Sequence, residues 1–155
     1  MTESEILVVN FDKVPNEYSK GKEITSIPKS NDALYIKENK WYFIEFKNGS
    51  IDRADIYRKI YDSLIMLVEM KIIENFEFAR KNINYILVYN SDKYGKVQKS
   101  EAREKVNNYI QKLAKDEEKL FEVGKFEGYL FKATHTYTKE LFQEKFVSLI
   151  EKGEL

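Results

Sequence analysis

Residues 30–49 read SNDALYIKENKWYFIEFKNG and contain two runs typical of β-strands, at 33–37 and 41–47. Glu38 and Asn39 lie between the two runs, and asparagine tolerates the left-handed backbone conformation of a tight turn. The pattern therefore predicts a β-hairpin with a two-residue turn.

The register of this hairpin brings two carboxylates together. With a two-residue turn, Lys37 pairs with Lys40, and the same register sets Asp32 opposite Glu45. The Cβ atoms of directly opposed residues lie ~4.5–5.5 Å apart. Lys47 lies on the same face as Glu45, because side chains alternate along a strand. A three-residue turn would shift the pairing by one residue and weaken this prediction.

Carboxylates this close repel each other unless a cation neutralises them, and Mg²⁺ prefers hard oxygen ligands. The carbonyl of Phe46 would add a third oxygen ligand. If a phosphate oxygen also bound the cation, Lys47 would orient an attacking water or stabilise the negative charge that develops on the phosphorus. The alternative is an exposed Glu and Lys on an edge strand, where charges support solubility. Trp41 and Phe43 share the face of Glu45, which favours a covered face and hence a site.

The order of these features resembles the PD-(D/E)XK nuclease superfamily, whose folds are restriction-endonuclease-like. The resemblance is carried by Asp32, the hairpin turn, the Glu45-x-Lys47 triplet within a strand, and a helix that starts near Asp52. It implies hydrolysis of phosphodiester bonds in DNA with Mg²⁺ or Mn²⁺. It also implies that Asp32 and Glu45 are catalytic metal ligands and that Lys47 is the catalytic lysine.

The sequence departs from the family pattern at three points. Asn31 stands where the motif name has proline. Many members carry an additional glutamate on a first helix, and of the candidates Glu17 and Glu23 we select Glu17 as a further metal ligand. No glutamine follows Lys47 before Gln98, which argues against the exonuclease branch.

The rest of the chain predicts an α/β fold with a mixed central sheet flanked by helices, in a single domain over residues 1–155. A helix from 52 to about 69 is indicated by Asp52 as N-cap and by apolar residues at helical spacing. The other predicted segments are strands at 24–27, 83–89 and 129–133 and helices at 72–80, 100–115 and 138–150.

Composition restricts the function classes. Lys plus Arg and Asp plus Glu both number 26, so a net charge of zero gives no support for nucleic-acid binding, although a local basic stripe remains compatible with it. The absence of Cys excludes disulfides and thiolate zinc sites, and no Gly-rich phosphate loop is present. An acidic start, MTESE, and short apolar runs lead us to expect a cytoplasmic protein with no membrane association.

Three interpretations stay open. The first is a metal-dependent nuclease acting on DNA, with a homodimer or a protein partner supplying specificity. The second is a catalytically silent module of the same fold that acts through protein or nucleic-acid binding, and the third is an unrelated α/β interaction protein. On the helix after the hairpin, Lys59 and Asp62 are interpreted as an (i, i+3) pair on a solvated face rather than a phosphate contact. His135 is expected to satisfy backbone groups in a turn.

Overall fold

The computed structural model describes residues 6–94 and 120–155, and five strands within them form one mixed sheet. The strands are β1 (Val9–Asn10), β2 (Ala33–Lys37), β3 (Lys40–Lys47), β4 (Ile83–Tyr89) and β5 (Ala133–Thr138). They lie in the sheet in the order of the chain. Strand β2 is antiparallel to β1 and β3, whereas β4 is parallel to β3 and β5.

Helices connect the strands and follow the last one. They are α1 (Val14–Ser19), α2 (Arg53–Glu69), α3 (Phe76–Asn82), α4 (Ser91–Tyr94), α5 (Lys139–Phe142) and α6 (Ser148–Glu151). A π-helical segment, Gln143–Val147, joins α5 to α6, and 3₁₀ segments cover Phe11–Lys13 and Leu120–Phe126. The predicted α/β fold with a mixed sheet is confirmed.

Helix α2 forms where the sequence predicts it. The side chain of Asp52 accepts a hydrogen bond of 2.9 Å from the N–H of Ala54, which satisfies one of the free donors at the helix start. Ile56, Ile60 and other apolar residues at helical spacing are buried on the face that packs against the sheet. The long connection from β3 to the parallel β4 thus runs through a helix that covers one face of the sheet.

Apolar side chains form a core on each face of the sheet. One core joins α2 and α3 to the face that carries Phe43 and Tyr85. The other joins the C-terminal helices to the face that carries Ile44 and Ile86. All seven residues of β4 are buried, as expected of a strand covered on both faces.

Two strand predictions are wrong. Residues 24–27 form no strand, and Ile24 and Ile27 are exposed. The last strand begins at Ala133 rather than at 129, because the N–H groups of Leu130 and Phe131 donate to the carbonyl of Phe126 and are not available to the sheet. The strand predicted at 83–89 is confirmed.

The helix predictions differ from the structure mainly at their starts. The helix predicted at 72–80 begins at Phe76, since Asn75 accepts a hydrogen bond from the N–H of Phe78 and caps it there. Thr138 caps the C-terminal helix as predicted, with its hydroxyl accepting from Leu141. The helix predicted at 100–115 lies outside the described residues. In the part of the chain that is described, no helix has the length and apolarity needed to span a membrane.

Candidate active site

The β2–β3 hairpin pairs in the predicted register, with Lys37 opposite Lys40. Asp32 immediately precedes β2, and the same register extended by one residue sets it opposite Glu45. Both side chains lie on the face that α2 covers. The two-residue turn has thus brought the two predicted carboxylates to the same end of the hairpin.

The turn itself uses an unexpected residue. Glu38, not Asn39, has a positive φ, at 54°. A positive φ at the first of the two turn residues is compatible with the tight turns that suit the twist of a hairpin. This conformation costs a non-glycine residue roughly 1 kcal/mol.

Asp32 is held by the backbone on both sides. Its Oδ2 accepts a hydrogen bond of 2.7 Å from the N–H of Phe46, and its carbonyl accepts one of 3.0 Å from the N–H of Phe11. Its Oδ1 accepts a hydrogen bond of 3.1 Å from the ammonium of Lys59. One carboxylate oxygen is therefore committed to β3, and the other faces the site.

Glu45 is fully buried, which is rare for a glutamate and needs compensating contacts. Its Oε1 lies 2.7 Å from the Lys59 ammonium and 3.1 Å from the Lys47 ammonium. Its Oε2 is buried with no hydrogen-bond partner among the described residues. Burial, followed by the charge of Asp32, raises the pKa of Glu45 to about 7, against the opposing effect of the two lysines.

Lys47 lies between two acidic side chains, those of Glu45 and Asp55. Its ammonium lies 3.1 Å from Glu45 Oε1 and donates a hydrogen bond of 2.9 Å to Asp55 Oδ2. Burial acts to lower the pKa of Lys47, but the contacts with Asp55 and Glu45 outweigh it and raise that pKa. The lysine therefore stays charged beside Glu45.

Lys59 is the site residue that the sequence interpretation missed. It lies on α2, its side chain is 17% exposed, and its ammonium bridges Asp32 and Glu45. The expected pair between Lys59 and Asp62 is wrong, because Asp62 instead lies 3.6 Å from Arg58. The sequence did contain a signal that Lys59 faces the sheet. The residues at i−3 and i+4 from it, Ile56 and Ser63, are on the buried side of α2.

Together these groups form a chain of alternating charge across the site. Its members, in order, are Lys29, Asp55, Lys47, Glu45, Lys59 and Asp32. We call this set the charge chain. Its three lysines and three carboxylates sum to zero, which explains how a buried glutamate is tolerated without excess charge.

Two further polar groups belong to the surroundings of Glu45. The hydroxyl of Tyr85 is buried and, within the described chain, has no hydrogen-bond partner. Burial raises the pKa of Tyr85 well above its usual value, and the charges of Glu45 and Asp32 add to that effect. The carbonyl of Phe46 points toward the same edge as its N–H, because both groups of a strand residue face the same neighbour.

Glu17, the third predicted metal ligand, lies in α1. It forms an ion pair of 2.7 Å with Lys20, and both side chains are mostly exposed. Across residues 6–94 and 120–155, no group of three or more acidic, His or Cys side chains is arranged to hold a metal ion. The structure brings Asp32 and Glu45 together, and a ligand role for Glu17 stays a prediction.

A cleft of about 210 Å³ opens where β3 and β4 end. Lys47, Asn48, Asn90 and Lys139 are among its lining residues, and the amide of Asn90 donates a hydrogen bond of 2.8 Å to that of Asn48. The carboxyl ends of parallel strands are where open α/β sheets bind ligands. The cleft therefore offers space for a substrate group beside Lys47.

His135 does not occupy the predicted turn. It lies within β5, opposite Ile86, and its ring stacks on Tyr137 at a centroid distance of 5.3 Å. A lysine-rich stretch at 93–99 begins with Lys93 in α4, and its residues 95–99 lie outside the described chain.

Searches against models of known protein families, curated protein sequences and solved structures find no match to this chain.

Proposed function

We propose that this protein is a metal-dependent nuclease that hydrolyses phosphodiester bonds in DNA. The observation that carries the proposal is the convergence of the Asp32 and Glu45 carboxylates on one cationic group, with Lys47 3.1 Å from Glu45. Paired carboxylates beside a lysine at the end of a hairpin are what the resemblance to the PD-(D/E)XK superfamily implies.

The topology supports the same proposal. An antiparallel hairpin carries the carboxylates, a helix follows it, and the next strand returns parallel to the second hairpin strand. This is compatible with a restriction-endonuclease-like core. Of the charge chain, only Lys47 lines the cleft at the ends of β3 and β4, so the cleft offers space beside that lysine.

The residues present fit a divalent cation. Glu45 Oε2 is a buried oxygen with no partner in the described residues, and Asp32 Oδ1 faces the site. Asp32 and Glu45 would hold Mg²⁺ or Mn²⁺ together with the carbonyl of Phe46. When bound, the metal neutralises developing charge on the phosphate and lowers the pKa of a coordinated water.

The protein's own groups supply positioning and charge. Lys47 is fixed between Glu45 and Asp55, so its ammonium is oriented before substrate arrives. From there it donates to an attacking water or to a phosphate oxygen. With a net charge of zero, the chain gives DNA no general electrostatic attraction. A homodimer or a protein partner would supply specificity.

Cleavage of plasmid and linear DNA in Mg²⁺ and in Mn²⁺ tests the proposal. Wild type should cut, whereas Asp32→Ala and Lys47→Ala should not. Glu77→Ala is the matched control, because Glu77 is an exposed glutamate paired only with Lys81 in the contacts described, far along the chain from the hairpin. Cleavage that survives both site substitutions would refute the proposal.

A specific observation favours a second candidate, a catalytically silent module of the same fold. The Lys59 and Lys47 ammonium groups already balance the two carboxylate charges, so the site is electrostatically complete without a metal. Such a module would act by binding protein or nucleic acid. It predicts folded wild-type protein that neither binds Mn²⁺ nor cuts DNA.

A further inference from the structure

Lys59 occupies the position between the two candidate metal ligands. Its ammonium is 3.1 Å from Asp32 Oδ1 and 2.7 Å from Glu45 Oε1, and Glu45 is fully buried. An ammonium has three donors and no acceptor, so it interacts with these oxygens much as a metal ion would, by its positive charge. Without a cation between them, the two carboxylates would carry two negative charges against the single positive charge of Lys47, which lies 3.1 Å from Glu45.

The oxygen that Lys59 holds is the one a metal would need. Asp32 has two carboxylate oxygens, and Oδ2 is committed to the N–H of Phe46 at 2.7 Å. Oδ1 is the oxygen of Asp32 that faces the site, and it is the acceptor of the Lys59 hydrogen bond. Lys59 and a divalent cation are therefore alternatives at the same atom.

Lys59 has more rotatable bonds between its backbone and its charge than Asp32 or Glu45 has. Its side chain is partly exposed, at 17%, and it reaches the site from α2 on a flexible four-carbon stem. Asp32 and Glu45, in contrast, are fixed by the hairpin. The mobile member of the group is the lysine.

We propose that Lys59 is an exchangeable counter-ion of the metal site. It bridges Asp32 and Glu45 in the metal-free protein and is displaced when a divalent cation binds, so that it sets the affinity of the site for metal. This inference rests on the proposed metal-dependent function. Lys59 is thus a positioning residue that controls loading of the site.

Titration calorimetry with Mn²⁺ alone, on the full chain, tests the exchange. Lys59→Met removes the competing charge and keeps much of the apolar stem, so we expect Mn²⁺ to bind about ten-fold tighter or more than to wild type. A substitution that only damaged the structure would weaken binding. Lys59→Gln provides a second variant should Lys59→Met fail to fold without metal.

Two controls separate exchange from a general charge effect. Arg58→Met removes a cation from the adjacent, exposed position of α2 and should leave the Mn²⁺ affinity unchanged. Lys47→Met removes the other cation on Glu45 Oε1 but opens no gap between the carboxylates, so its effect should be smaller than that of Lys59→Met. Equal tightening in Lys47→Met and Lys59→Met would overturn the inference.

The outcomes also separate this inference from the proposed function. If wild type and Lys59→Met bind Mn²⁺ equally and wild type cuts DNA, the exchange is refuted and the nuclease stands. If Lys59→Met binds Mn²⁺ but wild type neither binds it nor cuts DNA, the exchange is supported and the nuclease function is refuted. If neither protein binds Mn²⁺, both are refuted.

Discussion

The Oδ2 atom of Asp32 accepts a hydrogen bond of 2.7 Å from the backbone N–H of Phe46, two residues beyond Ile44, where the paired positions of the hairpin end on β3. The carboxylate thus accepts the kind of hydrogen bond that a backbone carbonyl accepts between the paired strands of the hairpin. This contact fixes the side chain of Asp32 while leaving Oδ1 directed at Glu45 and Lys59. Asp32 therefore has a structural role and a chemical role that different substitutions can separate.

Asp32→Asn should retain the structural role and lose the chemical one. Its amide oxygen can still accept from the N–H of Phe46, whereas Asp32→Ala loses the acceptor and should be about 1–2 kcal/mol less stable than Asp32→Asn. Neither variant should bind Mn²⁺ with wild-type affinity, because the carboxylate charge is gone. Urea denaturation and calorimetry measure the two effects, and equal stabilities of the two variants would contradict the structural role.

Lys47→Met should slow DNA cleavage but leave the binding of Mn²⁺ in place. Loss of a positioned cation that stabilises developing charge typically costs about 100-fold in rate or more, so we expect at least that loss in DNA cleavage. Mn²⁺ binding should persist, because Asp32 and Glu45 remain. Lys81→Met, which removes an exposed lysine from an ion pair on α3, is the control and should cut at the wild-type rate. A variant that lost metal binding together with cleavage would argue against this division of roles.

The buried Glu45 predicts a fall in stability as the pH rises. Its pKa is about 7 in the folded protein against an ordinary value of 4.5, so the folded state binds more protons between these values. The free energy of unfolding should therefore decrease from about pH 4.5 to about pH 7 in metal-free buffer. One pKa unit corresponds to about 1.4 kcal/mol, which makes the whole decrease ~3 kcal/mol.

Glu45→Gln is the comparison for this pH effect. Subtracting its unfolding free energy from that of wild type at each pH cancels the contributions of the other titrating groups. The difference should slope downward between about pH 4.5 and pH 7 and be flat above pH 8. Parallel curves for the two proteins would show that Glu45 does not titrate as the structure indicates.

Asp55 predicts the opposite behaviour at low pH. Hydrogen bonds from Lys29 and then Lys47 lower its pKa from 3.8 to about 2 in the folded protein. Its contribution is therefore present above pH 3.8 and lost as the pH falls toward 2. Asp55→Asn should be destabilised by ~2 kcal/mol at pH 6, and this deficit should disappear near pH 2. Denaturation of both proteins across this range measures it, and a deficit that is independent of pH would contradict the prediction.

The start of α2 gives a prediction that is independent of the site chemistry. Asp52→Ala removes the N-cap acceptor for Ala54 and should destabilise the protein by about 1 kcal/mol, whereas Asp52→Ser retains an acceptor and should cost less. Thermal or urea denaturation measures both. An Ala variant as stable as the Ser variant would show that the cap contributes little here.

The hairpin and α2 could be predicted from the sequence because their signals are local. A two-residue turn fixes which residues pair, and the Asp52 cap with apolar residues at helical spacing fixes the helix. The role of Lys59 could not be predicted in the same way. It depends on how α2 packs on the sheet, and a lysine beside charged neighbours looks identical in sequence whether its ammonium reaches water or a buried glutamate.

Strand β5 shows the same limit for the fold. The sequence predicts a turn and a helix cap at Ala133–Thr138, although this run alternates threonine with other residues and β-branched residues suit a strand. The sequence places the strand at the preceding apolar residues, which include Leu130 and Phe131, but these two residues bury their side chains from a turn closed on Phe126. The apolar character of Leu130 and Phe131 correctly indicates that their side chains are buried, but it wrongly indicates that their backbone forms a strand.

The two-residue turn at Glu38 and Asn39 has a consequence for how this gene can change over time. Asp32 and Glu45 lie opposite each other because each is separated from that turn by the same number of residues. Inserting or deleting one codon in the turn would therefore shift the register and rotate Asp32 to the opposite face of the sheet. Most surface turns tolerate such length changes. Here an exposed turn, six residues from Asp32 on one side and six from Glu45 on the other, should be under as strict a length constraint as the site itself.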